Sequence, residues 1–525
     1  MTRNRRRPPL LATAIVLAAI GSGMAAGAIF GERSQSEEEQ ALVLRASHVV
    51  TTLLDWLPQE HDPADIVYDG IAGMLQVLDP HSNYLDPRSF QKMRERQEGS
   101  FFGVGIIISS RNGEVTVISP IAGTPAAQKG LRAGDVIVAV EGERTEEMSL
   151  DDVVDRVRGP EGSTVLLTIR RPGMKSPFEV SITRARIPQT SIRYGFMVRP
   201  GVGYVRLSEF SNTSTRELRE ALQGLAAEGM ESLVLDLRNN PGGSLDAAVG
   251  VSDTFLREGE LIVTTRGRTG DNNLTYRSPG EGYTFEGPLV VLVNEGSASA
   301  SEIVAGAVQD HDRGLVLGET TWGKGLVQTV FSVRDTGLAL TTARYYTPSG
   351  RCIQRDYRSF IDYITHRNGV DDDREIYETD AGRTVLGGGG ISPDVEVVNR
   401  TFSDRLVKLY GSSAFFRFAI ELLKAVPTEE ETAFGRRFAV DEATLDRLFS
   451  WLLTEEILTE DELAELRADP QDLDDVRRGI TVEIRNSTLG LNEGYRVALE
   501  GDDQLGAALD HIDEAADLWS AYTDE

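Results

Sequence analysis

The 525-residue chain has few residues of the types that form crosslinks or bind metals. Cys352 is its single cysteine, so no disulfide can form within the chain. Six scattered histidines form no HExxH motif, and there is no paired CxxC, so we expect no metal centre. A lone thiol without a histidine partner is more typical of a small packing residue than of a nucleophile.

Positive charge is also scarce, and lysine above all. The formal net charge is −28, and only six of the 54 basic residues are lysines. Because binding to nucleic-acid phosphates needs a basic surface, we exclude nucleic-acid binding. The length predicts two to four domains, and the 40% hydrophobic content is typical of globular proteins.

One long apolar segment lies near the N-terminus. Four arginines within residues 3–7 precede an uncharged run of 21 residues from Leu10 to Phe30. Such a run can cross a bilayer core of roughly 30 Å, with its positive flank in the cytoplasm. We therefore expect residues 1–31 to anchor the chain in a membrane, with the rest outside the cytoplasm. Ala26-Gly27-Ala28 also resembles a signal-peptide cleavage site, and that alternative exports the protein too.

Four further segments differ in pattern. Residues 41–97 have helical spacing, and residues 98–187 have short β-rich runs separated by Gly and Pro turns. Residues 188–400 alternate strand and helix patterns, which predicts a mixed α/β core. Residues 401–525 are acidic and helical in pattern.

A serine-rich turn follows one predicted strand of that core. In Val291 to Gln309, VLVNEGSASASEIVAGAVQ, an apolar strand stops, small residues turn, and an amphipathic helix begins. A serine at such a corner is exposed, and unpaired N–H groups at the helix start can stabilise an oxyanion. The alternative is an ordinary helix cap at Ser301-Glu302.

Lys324 lies between two glycines in GETTWGKGLVQ, Gly318 to Gln328. A desolvated lysine can lose its proton near neutral pH and act as the base for a serine, whereas arginine cannot. Gln328 is placed to hold the amine. The segment also matches seven positions of a phosphate-binding loop, but a strand pattern follows the lysine where that loop requires a helix. A surface lysine is the remaining alternative.

A second glycine turn, RNNPGGS, follows another predicted strand and precedes a helix. Gly242 and Gly243 let the backbone approach a ligand closely and offer N–H donors there. Taken alone the turn is common. His311 has no supporting motif, so a Ser-His-Asp arrangement is not favoured.

Together these segments resemble the C-terminal processing peptidases, also called tail-specific proteases. The resemblance extends over about Ala41 to Asn399, and its motifs are GMLQVLDPHSNYLD, LDLRNNPGG, NEGSASASEIVAGAVQD, GETTWGKGLVQ, RYYTPSGRCIQ and GGGGISPDVEV. It implies a crotonase/ClpP-like α/β core with an inserted PDZ domain, and no cofactor. It also implies a site whose members are Ser299 as nucleophile, Lys324 as general base, Gln328 as its support, and Ala300, Gly242 and Gly243 as oxyanion donors.

SFFGVGIII, Ser100 to Ile108, resembles the carboxylate loop of PDZ domains. Its N–H groups would bind a terminal carboxylate and the next strand would pair with the substrate tail. The residues concerned are Phe102, Gly103, Val104, Gly105 and Ile106. The alternative is that Gly103 and Gly105 only permit a β-bulge.

The resemblance implies a serine endopeptidase that acts on proteins with exposed C-terminal tails. From the N-terminal anchor we expect it in a bacterial cell envelope, held at the inner membrane with its catalytic part in the periplasm or outside. A silent PDZ scaffold and an acyl-CoA enzyme on the same core are the alternatives. The sequence leaves open a homodimer or a higher oligomer. The extension after about Thr401, which short family members lack, receives no role.

Overall fold

The computed structural model describes residues 37–56, 62–111, 113–357, 363, 365 and 374–524. The predicted membrane segment from Leu10 to Phe30 lies outside these residues. Within the described chain, no helix is both long enough and apolar enough to span a membrane. The chain forms two compact units, of which the first comprises Met1–Phe90 and Gln328–Thr341 and the second Gln91–Val327 and Thr342–Glu525.

The first unit contains α1 (Glu37–Trp56) and α2 (Pro63–Leu75). Asp62 caps α2, because its side chain accepts the Ala64 N–H at 2.8 Å. The expectation of helix throughout residues 41–97 is wrong at β1 (Asn83–Leu85), which pairs antiparallel with residues 337–339. Pairing with a distant strand overrides the local helical pattern there. Helix α3 (Pro87–Glu98) follows.

The β-rich part of the second unit is a small antiparallel domain. Its elements are β2 (Ser100–Gly103), β3 (Ile106–Arg111), β4 (Glu114–Pro120), α4 (Pro125–Gln128), β5 (Val136–Val140), β6 (Glu143–Arg144), α5 (Leu150–Val157), β7 (Thr164–Arg170), β8 (Phe178–Thr183) and β9 (Ala185–Pro188). The sheet order is β3-β4-β5-β7-β8 with β6 beside β5, and β2 pairs with β9. Apolar residues of α5 and of the strands fill its core.

A six-stranded sheet forms the centre of the α/β core. Its order is β10-β11-β12-β15-β16-β21, antiparallel at β10–β11 and parallel elsewhere. Chain elements of this part are β10 (Ile192–Arg199), β11 (Val202–Leu207), α6 (Ser214–Ala227), β12 (Ser232–Asp236), α7 (Leu245–Asp253), β13 (Leu261–Gly267), β14 (Thr275–Arg277), β15 (Leu289–Val293), α8 (Ala300–Asp310), β16 (Leu315–Gly318), β17 (Leu326–Val333), β18 (Thr336–Tyr346), β19 (Ile376–Glu378), β20 (Thr384–Leu386) and β21 (Val395–Glu396). Strands β12, β15 and β16 are buried along their whole length, which explains their continuous apolar runs.

The two faces of this sheet are covered by different parts of the chain. Helices α6, α7 and α8 pack on one face, where Leu235 and Val291 point. The opposite face, with Val234 and Leu292, is covered by the last helices of the chain. The parallel strands are therefore buried on both sides, as this sheet type requires.

The C-terminal extension is entirely helical within its described elements. Its helices are α9 (Asp404–Gly411), α10 (Ala414–Leu423), α11 (Glu431–Arg437), α12 (Glu442–Thr454), α13 (Glu460–Ala468), α14 (Pro470–Leu489), α15 (Leu491–Ala498), α16 (Asp503–Asp510) and α17 (Ile512–Asp524). Helices α9, α10, α12 and α14 build an apolar cluster of their own, whereas α16 and α17 belong to the second face of the core sheet.

Candidate active site

Ser299 occupies the corner between β15 and α8, in a strained backbone conformation with φ 56° and ψ −110°. The three serines of this turn differ in their surroundings. Ser297 is fully buried and donates to the Leu237 carbonyl at 2.8 Å, and Ser301 is fully buried and donates to the Asn240 carbonyl at 2.9 Å. Ser299 alone of the three is partly exposed. The geometry therefore leaves Ser299 as the serine that a substrate can reach.

The hydroxyl of Ser299 lies 2.7 Å from the hydroxyl of Tyr345. Tyr345 is a buried residue of β18, and its backbone N–H donates to the Gly325 carbonyl at 2.9 Å. Burial raises the pKa of Tyr345 well above its ordinary value, so the phenol stays neutral and acts as a hydrogen-bond partner, not as a base. Tyr345 lies in the motif RYYTPSGRCIQ, but no pattern in the sequence predicted its contact with Ser299.

Glu302 links the nucleophile turn to the lysine turn. Its fully buried carboxylate accepts four hydrogen bonds, from the N–H groups of Ser299 (2.7 Å), Gly323 (2.7 Å) and Lys324 (2.9 Å) and from the Thr321 hydroxyl (2.6 Å). Burial raises the pKa of Glu302, and the four hydrogen bonds oppose that rise. The predicted helix-cap role of this glutamate is thus compatible with an active-site role of the same turn.

Lys324 lies in a glycine turn that leads directly into β17. Gly323 has φ 87°, and the Gly325 N–H donates to the Gln354 side chain at 2.9 Å. Because a strand follows the lysine, the phosphate-loop alternative is wrong. Gln328 belongs to the first compact unit, where its side-chain amide donates to the His81 carbonyl at 2.6 Å. Its support of Lys324 stays a prediction.

The glycine turn after β12 approaches the nucleophile closely. Gly242 has φ 95°, and a Cβ there would lie 2.7 Å from the Ala298 carbonyl oxygen and 2.9 Å from the Ala300 nitrogen. Gly243 has φ 148°, and a Cβ there would lie 2.1 Å from the Phe210 carbonyl oxygen. Both positions therefore require glycine, Gly242 because the nucleophile turn passes beside it.

Asn240 ties this glycine turn to the nucleophile turn, and sequence reasoning missed it. Its side chain is fully buried, donates to the Leu207 carbonyl at 2.8 Å, and accepts the Gly242 N–H at 2.9 Å. Its carbonyl accepts the Ala298 N–H at 3.0 Å. The only sequence signal was its place between Arg238 and the glycines.

His311 does not serve the site. It follows the last residue of α8, so the length of that helix, about 17 Å, separates it from Ser299. Its Nδ1 lies 2.6 Å from an Asp380 carboxylate oxygen and its Nε2 2.7 Å from the Leu261 carbonyl oxygen. Both ring nitrogens are thus engaged in structural contacts.

The predicted carboxylate loop lies between β2 and β3. Val104 is buried, its carbonyl accepts the Ala126 N–H at 2.9 Å, and the Gly105 carbonyl accepts the Ile121 N–H at 3.0 Å. Among the described residues, the N–H groups of Val104 and Gly105 donate to no acceptor. The loop therefore presents peptide N–H groups, as a carboxylate site requires.

Gly105 is constrained by more than its φ of 80°, because a Cβ there would lie 2.3 Å from the Thr124 Cβ. The irregular register of β3 and β4 lies further along, between Ile107 and Ile108. Ile106 opens β3, and Phe102, which is 40% exposed, lies in β2 with Gly103 at its end. The described part of the chain pairs β3 with β4 alone, which leaves the other edge of β3 without a neighbour.

Comparisons with known proteins identify the family of the chain. The profile of peptidase family S41 matches residues 201–376, and that of the PDZ domain matches residues 116–171. The chain is 42% identical over 298 residues to a "Carboxy-terminal-processing protease" of Bartonella bacilliformis, covering 56% of this chain and 68% of that protein. It is 39% identical over 295 residues to a "Carboxyl-terminal-processing protease" of Synechocystis sp., covering 55% and 68% respectively.

A solved structure, "Photosystem II D1 C-terminal processing protease", is 32% identical, covers 67% of this chain and 86% of its own, and has a TM-score of 0.35. The predicted fold class, an α/β peptidase core with a PDZ domain and a helical C-terminal extension, is confirmed. The chain belongs to peptidase family S41 and is a serine-type carboxy-terminal processing protease.

Proposed function

We propose that the protein cleaves substrates near their C-termini with Ser299 as nucleophile and Lys324 as general base. The observation that carries the proposal is the placement of Ser299, the one partly exposed serine of its turn, beside the glycine turn at Gly242. Glu302 supports it, because one carboxylate binds the backbone N–H groups of both Ser299 and Lys324.

In the proposed first step, neutral Lys324 accepts the proton of the Ser299 hydroxyl and the oxygen attacks the scissile carbonyl. The resulting oxyanion accepts hydrogen bonds from the N–H of Ala300, the first residue of α8, and from the N–H of Gly243. Gly243 is the better glycine donor, because the Gly242 N–H is committed to Asn240 at 2.9 Å. Each such donor contributes about 3–4 kcal/mol to the transition state.

Lys324 then gives its proton to the leaving amine, which departs as the new N-terminus of the released C-terminal fragment. In the second step Lys324 accepts a proton from water, and the hydroxide attacks the acyl carbonyl. The bond between the acyl carbon and the Ser299 oxygen breaks, Lys324 returns the proton to that oxygen, and the other fragment leaves with a new C-terminal carboxyl group. In this proposal, the side chain of Gln328 would hold the lysine amine in place during both steps. No metal or organic cofactor takes part in these steps.

We also propose that the PDZ domain recognises the substrate tail. The N–H groups of Val104 and Gly105 would bind the terminal carboxylate, and the tail would add as a strand to the unpaired edge of β3. Main-chain pairing supplies affinity here, so the domain would accept tails of differing sequence. Phe102, Gly103 and Ile106 flank the carboxylate position.

The location of the protein is a further part of the proposal. Leu10 to Phe30 would anchor the chain in the inner membrane of a bacterial envelope, with the protease in the periplasm. The apolar length of this run and its arginine flank support the assignment. Cell fractionation with alkaline extraction tests it, and release of the full-length chain into the soluble fraction would contradict it.

The central experiment compares the wild type with Ser299→Ala and Lys324→Ala on an unfolded protein with a free C-terminus. We expect both variants to lose at least about 10³-fold in kcat. Lys175→Ala is the matched control, because Lys175 is an exposed lysine of the PDZ domain. Equal degradation by the wild type and Ser299→Ala would refute the mechanism and favour a silent PDZ scaffold.

A further inference from the structure

The glycine turn RNNPGGS, which carries the proposed donor Gly243 and is called the oxyanion turn below, begins at Arg238. The C-terminal extension holds this arginine in place. Its guanidinium is only 5% exposed and lies between two carboxylates. Nη2 is 2.7 Å from Asp236 in β12, and Nη1 is 2.8 Å from Asp502, which precedes α16. Nη1 also donates to the Gln504 side-chain oxygen at 3.0 Å. We call these four residues the Arg238 cluster.

The charges of the Arg238 cluster are balanced within the fold. Burial is the largest single influence and raises the pKa of Asp236, but the charges of Arg238 and Arg206 and the hydrogen bonds to the carboxylate together hold this pKa below its ordinary value. Arg206 supplies a second positive charge near Asp236, and the Tyr204 hydroxyl donates to that carboxylate at 2.5 Å. Removing one carboxylate from such a buried group leaves an uncompensated charge, so both acids matter.

The two residues from the extension are themselves fixed. Gln504 is fully buried, donates to the Val397 carbonyl at 2.7 Å and accepts the Asn399 side-chain N–H at 2.9 Å. Asp502 caps α16 by accepting the Leu505 N–H at 2.9 Å. Because α16 packs on the core sheet through buried apolar residues, these side chains are rigidly placed.

The Arg238 cluster connects directly to the oxyanion turn. The Arg238 N–H donates to Asp236 at 2.9 Å, so both the backbone and the side chain of this residue are fixed at the end of β12. The turn that carries Asn240 and Gly243 follows without an intervening element. A misplacement of about 1 Å in a catalytic group can cost up to about 10²-fold in rate, so a smaller shift of a donor lowers the rate by less.

We propose that Asp502 and Gln504 are positioning residues for the peptidase reaction, because they hold the oxyanion turn in place through Arg238. Both residues lie beyond residue 376, where the match to the peptidase family profile ends. The extension would therefore add a support for the active site that the family profile does not include. The inference rests on the proposed function, since it assumes that Gly243 donates to the oxyanion.

The test uses the full-length chain and the variants Asp502→Asn and Asp503→Asn. Asparagine keeps the helix cap but removes the charge that binds Arg238. Asp503 is the neighbouring exposed acid, so its variant makes the same charge change outside the Arg238 cluster. Each variant is measured for kcat and KM, for its thermal midpoint, and for inhibition by a peptide aldehyde, whose adduct with Ser299 carries the oxyanion.

Removing one oxyanion donor costs about 10²–10³-fold in kcat, so a displaced donor should cost about 10- to 30-fold. We expect Asp502→Asn to lower kcat and to weaken aldehyde binding by this same factor, with KM unchanged and Asp503→Asn like the wild type. Wild-type kcat and aldehyde affinity in Asp502→Asn, or an equal loss in Asp503→Asn, would overturn the inference.

A second pair of variants decides the matter if Asp502→Asn does not fold. Gln504→Glu keeps an acceptor for Arg238, whereas Gln504→Met removes it at similar size. Both variants lose the side-chain N–H that donates to the Val397 carbonyl, so the difference between them reports on the acceptor for Arg238. We expect kcat to be lower in Gln504→Met than in Gln504→Glu, and equal kcat in the two variants would refute the inference. Activity retained by Ser299→Ala would instead refute the proposed function, so the two failures are distinguishable.

Discussion

Replacement of Glu302 by glutamine tests whether one buried carboxylate holds both halves of the proposed dyad. The side chain keeps its size but exchanges one oxygen for an NH₂ donor. If the remaining oxygen still accepts the hydrogen bonds from Thr321 and Gly323, the NH₂ group replaces the oxygen that accepts the N–H groups of Ser299 and Lys324. These two N–H groups then face a donor instead of an acceptor. Two of the four hydrogen bonds are then lost.

Each hydrogen bond to a charged group contributes about 1.5–3 kcal/mol to stability. The loss of two therefore removes about 3–6 kcal/mol of the free energy that holds the Ser299 and Lys324 turns in position. A neutral amide costs less free energy to bury than a carboxylate, which offsets part of this loss. We therefore expect a net loss near the lower limit, about 3 kcal/mol. At about 1.4 kcal/mol per factor of ten, the corresponding decrease in kcat/KM is roughly 100-fold.

The assay measures kcat/KM on a C-terminally labelled unfolded protein, with the thermal midpoint of each variant recorded alongside. Glu295→Gln is the matched control, because Glu295 is an exposed residue of the same turn. If Glu302→Gln stays within about twofold of the wild type, the carboxylate does not position the turn and the reasoning from its four hydrogen bonds is wrong.

Four further predictions concern the oxyanion turn, the nucleophile, the carboxylate loop and the buried glutamate. Gly242→Ala should lower kcat at least about 100-fold with circular dichroism unchanged, because its Cβ would lie 2.7 Å from a backbone oxygen, and near-wild-type kcat would contradict this. Tyr345→Phe should lower kcat about three- to tenfold at constant KM, since it removes the hydroxyl 2.7 Å from Ser299; an unchanged kcat would limit that hydroxyl to packing. Gly105→Ala should raise KM for proteins with a free C-terminus and leave hydrolysis of short peptides unchanged, because its Cβ would lie 2.3 Å from a threonine side chain; an unchanged KM would refute carboxylate binding there. The pKa of Glu302 is raised in the folded state, so the folded protein keeps this proton at pH values above 4.5 at which the unfolded chain has lost it. The free energy of unfolding of the wild type should therefore fall relative to that of Glu302→Gln as the pH rises from 4.5 through the raised pKa. Urea titrations that show the opposite slope would contradict this.

Much of the fold follows from patterns that are local in sequence. Strands β12, β15 and β16 are continuous apolar runs because both faces of a parallel sheet are buried, and the helices between them show amphipathic spacing. The one local error, at β1, arose where three residues pair with a distant strand. Local patterns carry no information about such a partner.

The candidate site likewise has one part that local sequence patterns predicted and another part that they did not. The serine turn, the glycine-flanked lysine and the glycine turn are each short motifs, and the resemblance to a known family assigned roles to Ser299, Lys324 and Gly242-Gly243. Nothing in those motifs indicated that Asn240 would bond to the serine turn or that Tyr345 would contact Ser299. Side chains of both are buried, and a buried polar residue acquires its role from whatever hydrogen-bond partner the fold brings to it.

The sequence by itself therefore predicted the chemistry that is proposed for the protein, since the candidate nucleophile, the candidate base and the glycine turn each lie within a few residues. The tertiary structure alone decided what holds these groups in place. Ser299 and Tyr345, Asn240 and Ser301, and Arg238 and Asp502 are hydrogen-bonded across 46, 61 and 264 residues of chain respectively. Such pairs meet only after the sheet has formed and both of its faces have been covered, so no local pattern in the sequence can predict them.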